Sequence, residues 1–484
     1  MKTRILSIIL TLLIIIPTLA ACSQNVGGTV EVPPSPGVEY EYDRKFVSFN
    51  SHLQYESSTH EINGESVLAG RFTFKEGFLE QVNATIYNMG SITFSLYKWN
   101  KSYENTVSGE PIKSITYTKE ALEMYVDAHL FNMELTFEED EIKPGTYLYV
   151  ISVPDGTNDN PAVYTGKVWT DKSLPEDYEP YRIVNYINGK QSSTVAVQSS
   201  FVFTSKVEKT EQELPFPTGK DPDGTAKVIL IGGQSNAVGF SEVENLSGRV
   251  SKEKIAEYTN GYSNVKIMYT NTEGYESDGF VPVSIGQGHS EKHFGPELGL
   301  AEYLAMKFPQ EKFYIIKYAK GGSILETQWY NAKAETPLTL LTGFEEYVNE
   351  GLELIKKDGL DPKIVGFIWN QGESDSTRHA WAAKYYNNLD GLVSYVRETF
   401  KPYASARGIA FIDAQIYGSV WSAYMNVNIQ KVAYSKMSPI NFCIDIFGYD
   451  IKPMGDSNDV AHYGVLSMLK LGNLYGAAIE KMLR

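Results

Sequence analysis

The sequence predicts an all-β sandwich followed by an α/β domain built on a three-layer, doubly wound and mainly parallel sheet. Three observations lead to this fold class. The chain has 484 residues, a length that favours two or three domains. Short alternating stretches separated by turn residues occupy the first half, as is typical of β-sandwiches. In the second half, short apolar runs alternate with helical stretches, which is typical of doubly wound sheets.

Composition and charge exclude several classes of protein. Hydrophobic residues make up 42% of the chain and charged residues 21%, which is ordinary for a globular protein and excludes extensive disorder and a polytopic membrane protein. The formal net charge is −16 and there is no basic tract. We therefore expect no nucleic-acid partner, because such binding depends on neutralising phosphates. Two cysteines are too few for a disulfide scaffold or a four-cysteine zinc site.

Residues 1–21 are predicted to be an export signal rather than part of the fold. Lys2 and Arg4 precede an apolar run from Ile5 to Ile16, which is short for a membrane span. The following Leu-Ala-Ala-Cys string resembles a bacterial lipoprotein signal, which is cleaved before the cysteine. The resemblance implies an exported protein, lipid-anchored to the bacterial cell envelope through Cys22 and facing outside the cytoplasm. A simple secretory signal and an uncleaved anchor are the alternatives.

Residues 40–207 carry the pattern of the predicted sandwich. A tether rich in Gly, Pro and Ser precedes them at 22–39. Alternating stretches such as Ser91–Tyr97 then recur between turn-forming residues. A charged linker that contains Pro and Gly follows at 208–224 and separates the sandwich from the second domain.

Residues 225–484 carry the pattern of the α/β domain. Four short apolar runs have the character of buried parallel strands, namely Val228–Ile231, Phe313–Lys317, Ile364–Ile368 and Ile409–Ile412. Five longer stretches have helical character, namely Pro296–Lys307, Leu340–Lys357, Trp381–Phe400, Met425–Met437 and Tyr463–Leu483. Ligands of such sheets bind beyond the carboxyl ends of the strands, so residues directly after each strand are candidates for a site.

Three polar segments are candidates for chemistry. Gly232–Asn236 follows the first apolar run, and its glycines allow a sharp turn that exposes Ser235; the alternative is a turn whose serine caps a helix. Trp369–Asp375 follows another run and offers amide and carboxylate groups, or is an ordinary polar loop. Asp459 and His462 precede the final helix at a spacing that can pair a carboxylate with an imidazole, or are a helix cap and a surface histidine.

The order of these segments resembles the SGNH (GDSL-like) hydrolase superfamily, which implies a flavodoxin-like sheet. In detail, GGQSN and WNQGESD are similar to the branch that contains sialate O-acetylesterases and family 6 carbohydrate esterases, the acetylxylan esterases. Two further blocks match this branch, Phe294–Glu297 and Ala319–Ile324, the latter followed by Trp329. The resemblance covers about 226–484, just over half of the chain.

The resemblance implies a role for each matching residue. Ser235 would be the nucleophile, His462 its general base, and Asp459 the carboxylate that orients the imidazole. The oxyanion would be held by the backbone N–H groups of Ser235 and Gly322, with Gly321 as the alternative, and by the side-chain amide of Gln371. The residues that hold the loops in place would be Asn236 and Glu373. An acyl-enzyme mechanism of this kind needs neither a metal nor another cofactor.

Other candidates are weaker. His289 and His293 have a spacing that suits zinc on a helix, but the preceding glycines argue against a helix there. In the α/β domain we expect the tryptophans to be core residues, unless one is exposed beside Ser235 and stacks on a sugar ring. They are Trp329, Trp369 and Trp381. In the β domain, Trp99 and Trp169 suit glycan binding, a core, or a surface that packs on the esterase-like domain.

These observations predict a carbohydrate O-acetylesterase that acts on polysaccharide or sialic acid by a Ser-His-Asp acyl-enzyme mechanism. Its expected partners are the acetylated carbohydrate and, through Cys22, a membrane. One alternative is an esterase for another acyl ester, such as a lipid or peptidoglycan ester. The other is a non-catalytic glycan-binding lipoprotein, against which the intact set of Ser235, Asp459 and His462 argues. The acidic charge favours neutral acetylated polysaccharide over polysialylated surfaces.

Overall fold

The computed structural model describes most of the chain after the predicted signal and tether. The described residues are 40–49, 58–62, 66–88, 90–122, 131–157, 160–166, 183–208, 214–331, 338–418, 421, 423–453 and 459–484. Cys22, Trp169 and the predicted segments 1–21 and 22–39 lie outside them. Within these ranges, no helix combines the length and the apolar character needed to cross a membrane.

The first part of the chain is β-rich, as predicted. Its strands are β1 (Tyr40–Phe49), β2 (Ser58–Glu61), β3 (Leu68–Phe74), β4 (Phe78–Asn88), β5 (Ile92–Lys98), β6 (Lys113–Tyr117), β7 (Phe131–Thr136), β8 (Gly145–Ser152), β9 (Ala162–Gly166), β10 (Ile183–Ile187), β11 (Lys190–Gln191), β12 (Ala196–Val197) and β13 (Ser199–Glu208). Its two short helices are α1 (Tyr103–Val107) and α2 (Lys119–Leu122).

The strands of this part form two antiparallel sheets. One sheet has the order β1-β13-β4-β9-β12, with β2 added at β9 and β7 at β4, and the other has the order β11-β10-β3-β8-β5-β6. Apolar residues from both sheets share one buried cluster. For example, the ring of Phe72 on β3 lies 4.6 Å from the ring of Phe201 on β13. The two sheets therefore enclose a common core, which is the arrangement of a sandwich.

The second part alternates strands and helices. Its strands are β14 (Ala226–Gly233), β15 (Ser241–Glu242), β16 (Tyr262–Thr270), β17 (Val281–Val283), β18 (His293–Phe294), β19 (Phe313–Ala319), β20 (Pro362–Asn370), β21 (Ala410–Ala414) and β22 (Asn441–Ile444). Its α-helices are α3 (Ser235–Val238), α4 (Lys252–Asn260), α5 (Pro296–Lys307), α6 (Thr339–Lys357), α7 (Glu373–Ser376), α8 (His379–Ala382), α9 (Tyr385–Thr399), α10 (Tyr424–Ser435) and α11 (Val465–Leu483).

The central sheet has the order β17-β16-β19-β14-β20-β21-β22. Every neighbouring pair is parallel except β16 with β17. The run β19-β14-β20-β21-β22 has the flavodoxin-like order 2-1-3-4-5. Along β14, Ile229 and Ile231 join a cluster with α5 and α11, whereas Val228 and Leu230 join a cluster with α6, α9 and α10. The sheet is thus covered by helices on both faces and has its carboxyl edge open for a site.

One stretch that was predicted to be a single helix is interrupted. The stretch Trp381–Phe400 is not a single helix, because α8 ends at Ala382 and α9 begins at Tyr385. The side chain of Gln430 on α10 lies at the break. Its Nε2 donates to the carbonyl of Ala382 at 2.7 Å, and its Oε1 accepts from the N–H of Tyr386 at 2.8 Å. In a continuous helix these two backbone groups would bond to each other.

The β-rich and α/β parts are joined by partly buried polar contacts. The side-chain amide of Asn132 on β7 donates to the carbonyl of Trp421 at 2.8 Å. The hydroxyl of Tyr424 donates to Oε1 of Glu134 at 2.7 Å. The segment of Trp421 and Tyr424 follows β21 and also donates from Ala423 N–H to the carbonyl of Ser376 at 2.9 Å, next to the predicted site.

Candidate active site

The turn after β14 requires glycine and exposes Ser235 at the carboxyl edge of the sheet. Gly233 has a φ of +139°, and a Cβ there would lie 2.1 Å from the carbonyl oxygen of Asn370 on β20. The chain reverses at this point, and α3 begins at Ser235. Ser235 retains 8% of its surface exposed, beside the ends of the neighbouring strands β19 and β20. The predicted sharp turn thus presents the candidate nucleophile at an edge where a ligand can reach it.

Asp459 and His462 form a hydrogen-bonded pair. His462 Nδ1 donates to Asp459 Oδ2 at 2.7 Å, while Asp459 Oδ1 accepts from the N–H groups of Ala461 and His462 at 2.9 and 3.0 Å. Burial alone would raise the pKa of Asp459, but its hydrogen bonds and the charge of His462 lower that pKa below its usual value. The carboxylate therefore stays ionised and orients the ring, so that Nε2 is the nitrogen left to take a proton.

Asn236 ties the loop of Ser235 to the loop of His462. Its Nδ2 donates to Oε1 of Glu373 at 2.9 Å and to the carbonyl of Ala461 at 3.2 Å, and its Oδ1 accepts from the N–H of Tyr463 at 3.2 Å. Asn236 is 1% exposed. These bonds hold the residues on both sides of His462 against Asn236, the residue that follows Ser235.

The hydroxyl of Ser235 makes no hydrogen bond with any residue that the structure describes, His462 included. In enzymes without substrate, hydrogen bonds between nucleophile and base are often long and tighten only in the complex. The structure therefore brings the three predicted residues to one edge of the sheet and links their loops, while the bond between Ser235 and His462 stays a prediction.

The predicted oxyanion donors differ in how much their surroundings in the protein occupy them. Gly322 has a φ of +63° and nothing within 4 Å of the position of a Cβ, so the space on that side of its Cα is open. A Cβ on Gly321 would lie 3.9 Å from the ring of Phe240. The amide of Gln371 is fully buried, and its Nε2 donates to the carbonyl of Ser323 at 3.1 Å and to Asp375 Oδ2 at 2.5 Å. Both N–H bonds of Gln371 are thus committed to the protein, and its donation to a substrate stays a prediction.

Asp375 is a supporting residue that the sequence analysis did not single out. Its carboxylate accepts from the N–H groups of Leu325 and Glu326 at 2.7 and 3.1 Å, in addition to the amide of Gln371. Burial raises the pKa of Asp375 to about 6, although these hydrogen bonds lower it. Asp375 therefore fixes the loop that follows Gly322 to the segment of Gln371. Its place within WNQGESD was the available signal.

Lys317 is a second supporting residue that the sequence analysis missed. It lies on β19 with 2% of its surface exposed, and its Nζ is 2.9 Å from Oε2 of Glu297. The same nitrogen donates to the carbonyls of Val238 at 2.9 Å and Gln287 at 2.7 Å. Burial lowers the pKa of Lys317, while the charge and hydrogen bond of Glu297 raise it. A lysine at the end of the apolar run Phe313–Lys317 was the signal that could have revealed this contact.

The remaining candidates are three tryptophans and two histidines. Trp329 and Trp369 are fully buried, as expected of core residues. Trp381 is partly exposed and carries the guanidinium of Arg378 over its ring at 4.3 Å. His289 and His293 do not lie on a helix. Among the described residues, no group of three or more His, Cys, Asp or Glu side chains is placed to hold a metal ion.

Comparison with known families matches the second part of the chain. The model of the family described as "Carbohydrate esterase, sialic acid-specific acetylesterase" matches residues 225–481, more than half of the chain. The matched range contains every candidate site residue described above. No curated protein matches the chain closely enough to count as a relative.

Solved structures give only distant likenesses. NanS shares 13% identity with a TM-score of 0.39, and the match covers 55% of this chain and 98% of that protein. A protein from Arabidopsis thaliana shares 17% identity with a TM-score of 0.38, over 53% of this chain and 98% of the other. A protein described as a novel carbohydrate acetylesterase from Xanthomonas citri shares 11% identity with a TM-score of 0.37, over 85% of this chain and 72% of the other.

Proposed function

We propose that this chain, which belongs to the carbohydrate esterase family of sialic acid-specific acetylesterases, hydrolyses acetyl esters of carbohydrates with Ser235 as its nucleophile. One observation carries the proposal: the pair of Asp459 and His462, joined at 2.7 Å, stands on a loop that Asn236 binds directly to the loop of Ser235. A carboxylate, an imidazole and a serine at one sheet edge are the groups that acyl transfer through a serine requires.

The first half of the reaction forms an acetyl-enzyme. The Ser235 hydroxyl attacks the carbonyl carbon of the acetyl ester while His462 Nε2 takes its proton. Asp459 stabilises the imidazolium that forms, and it keeps the proton of the ring on Nδ1. When the tetrahedral intermediate collapses, the bond to the sugar oxygen breaks and His462 returns the proton to that oxygen. The products are the deacetylated sugar hydroxyl and acetyl-Ser235.

The second half releases acetate. A water molecule gives a proton to His462 Nε2 and attacks the acetyl carbon, and His462 then protonates Ser235 as the ester bond breaks. In both tetrahedral intermediates a negative oxygen needs donors. The open backbone at Gly322 and the N–H of Ser235 are suited to this, because glycine lets the main chain approach the substrate. Removing one such donor typically lowers the rate by about a hundred- to a thousandfold.

The substrate that we propose is a neutral acetylated polysaccharide, with O-acetyl sialic acid as the competing choice. The net charge of −16 disfavours close approach to a strongly anionic polymer. We further propose that the protein acts outside the cytoplasm, where such polymers occur, and that a lipid at Cys22 anchors it to the cell envelope.

Acetate release by purified Ser235→Ala tests the nucleophile. We expect this variant to lose nearly all activity on acetylated xylan, O-acetyl sialic acid or a short acetyl ester, whichever the unmodified protein cleaves. Ser251→Ala is the matched control, because the Ser251 hydroxyl caps α4 by accepting from the N–H of Lys254 at 3.2 Å. Unchanged activity in Ser235→Ala would refute the assignment. Glycan binding without acetate release by the unmodified protein would favour the non-catalytic alternative.

A further inference from the structure

We propose that Phe240 is a positioning residue for His462, which it holds at one face of the imidazole ring. The inference rests on the proposed function, because it concerns the base of the same reaction. Phe240 lies at the end of the turn that follows α3, and nothing in its sequence context marks it as part of the site. The structure places Phe240 at the site, because its ring contacts the ring of His462.

The three rings of His462, Phe240 and His289 form a stack with Phe240 in the middle. The centroids of Phe240 and His462 are 4.3 Å apart with an interplanar angle of 9°. The centroids of Phe240 and His289 are 4.4 Å apart with an angle of 16°. The stacked pairs are close and nearly parallel, so each ring restricts the tilt of the next. All three residues are neither fully buried nor fully exposed, so the stack stands at the surface of the site.

The stack supplies a constraint on His462 that Asp459 does not. The bond from Nδ1 to Asp459 Oδ2 fixes the direction in which the ring points. It leaves the ring free to tilt about the line between those two atoms, and such a tilt swings Nε2 away from a fixed nucleophile. Contact of the ring face with Phe240 opposes this tilt. Both constraints together define the position of Nε2, and proton transfer is sensitive to a displacement of the base.

The far end of the stack is anchored independently of His462. The N–H of His289 donates to the carbonyl of Gly239 at 2.8 Å, and the carbonyl of His289 accepts from Asn271 Nδ2 at 3.1 Å. These bonds fix the backbone of His289 to the residue next to Phe240. The backbone that carries the outer ring is therefore anchored, and this ring contacts Phe240.

The buried cation of Lys317 holds both segments of this support. Its Nζ donates to the carbonyl of Val238, two residues before Phe240, and to that of Gln287, two residues before His289. Beside Phe240, the hydroxyl of Ser241 donates to the carbonyl of Tyr463 at 2.7 Å. The segments of Phe240 and His462 are thus joined twice, once through the stacked rings and once through the hydrogen bond from the Ser241 hydroxyl.

Kinetics of Phe240 variants on an acetyl ester test the inference. We expect Phe240→Leu to lower kcat about tenfold, with KM changed less than about twofold, because the ring acts on the base and not on substrate binding. Phe240→Tyr keeps the ring and is expected to remain within about threefold of the unmodified protein. Phe447→Leu is the matched control, because Phe447 is 48% exposed and stacks on Tyr417 at 6.0 Å rather than on His462.

A double-mutant cycle separates positioning from a general structural effect. If Phe240 acts through His462, then Phe240→Leu has no further effect on the residual rate of a His462→Ala variant. An equal loss in both backgrounds would overturn the inference, and so would unchanged kcat in Phe240→Leu. Loss of ring stacking has a second readout that does not depend on activity, the nuclear magnetic resonance shifts of the His462 ring protons, which we expect to move downfield in Phe240→Leu. Inactivity of the unmodified protein on every acetyl ester would instead refute the proposed function.

Discussion

Asn236→Ala is the substitution that most directly tests how the site is assembled. It removes three hydrogen bonds, to Glu373, to the carbonyl of Ala461 and to the N–H of Tyr463. A hydrogen bond between neutral groups contributes about 1 kcal/mol, and one to a charged group about 1.5–3 kcal/mol. We therefore expect the free energy of unfolding to fall by about 3–5 kcal/mol. The loop of His462 loses its attachment to the loop of Ser235 in the same step.

The effect on catalysis is expected to exceed the effect on stability. A displacement of the order of 1 Å in a catalytic group can lower the rate about a hundredfold, so we expect kcat for acetate release to fall about a hundredfold while KM changes little. Stability is measured by urea denaturation, and rates are measured at a temperature where both proteins are folded.

Asn264→Ala is the matched control for this experiment. Asn264 also bonds backbone groups, donating from Nδ2 to the carbonyls of Phe308 and Glu311 at 3.3 Å, but it lies near the amino end of β16. We expect it to lose stability and to keep kcat. A kcat within twofold of the unmodified protein in Asn236→Ala, or an equal loss of kcat in both variants, would refute the reasoning.

Three further predictions concern other parts of the chain. Burial raises the pKa of Glu134 from 4.5 to about 7. The protonated carboxyl therefore contributes its full stability below about pH 4.5, and this stability is lost as the pH rises through about 7. We expect Glu134→Gln to raise the Tm at pH 8 and to change it little at pH 4. Lys317→Met leaves the buried Glu297 without a charge partner, so we expect urea denaturation to show that the free energy of unfolding falls by about 3–5 kcal/mol. The double variant Lys317→Met with Glu297→Gln is expected to recover part of this loss. Cys22→Ser is expected to move the protein from the membrane fraction to the soluble fraction of cells, and unchanged membrane association would contradict lipidation at Cys22.

The sequence was most informative where chemistry and local backbone geometry coincide. The glycines of Gly232–Asn236 predicted the sharp turn, and Gly233 indeed has a conformation that glycine favours, with a carbonyl where a Cβ would be. The spacing of Asp459 and His462 allowed a pair or a helix cap with a surface histidine, and the structure has the pair, whose bond closes within one short loop. Four strands of the central sheet, β14, β19, β20 and β21, were predicted from apolar runs alone, since a parallel strand covered on both faces needs little else. The other three strands of that sheet, β16, β17 and β22, were not predicted.

The parts that were missed depend on contacts between distant segments. Phe240 and Lys317 gain their roles from residues far along the chain, which periodicity and spacing within one segment do not report. The break between α8 and α9 has the same origin, because the amide of Gln430 replaces a bond within the helix. The donor role of Gln371 was inferred from resemblance. Its hydrogen bonds to Ser323 and Asp375 join neighbouring segments of the protein, which the resemblance did not predict.

The contact between the β-rich and α/β parts has a consequence for how the chain unfolds. The predicted linker at 208–224 is the natural place to cut the chain in two. A cut there would leave Asn132 and Glu134 on one fragment and the segment of Trp421 and Tyr424 on the other, each with polar groups built to meet the other. Unfolding of either part would remove the partners of those groups in the other. We therefore expect the two parts to unfold in a coupled manner, so that a substitution that stabilises one part also raises the melting temperature of the other.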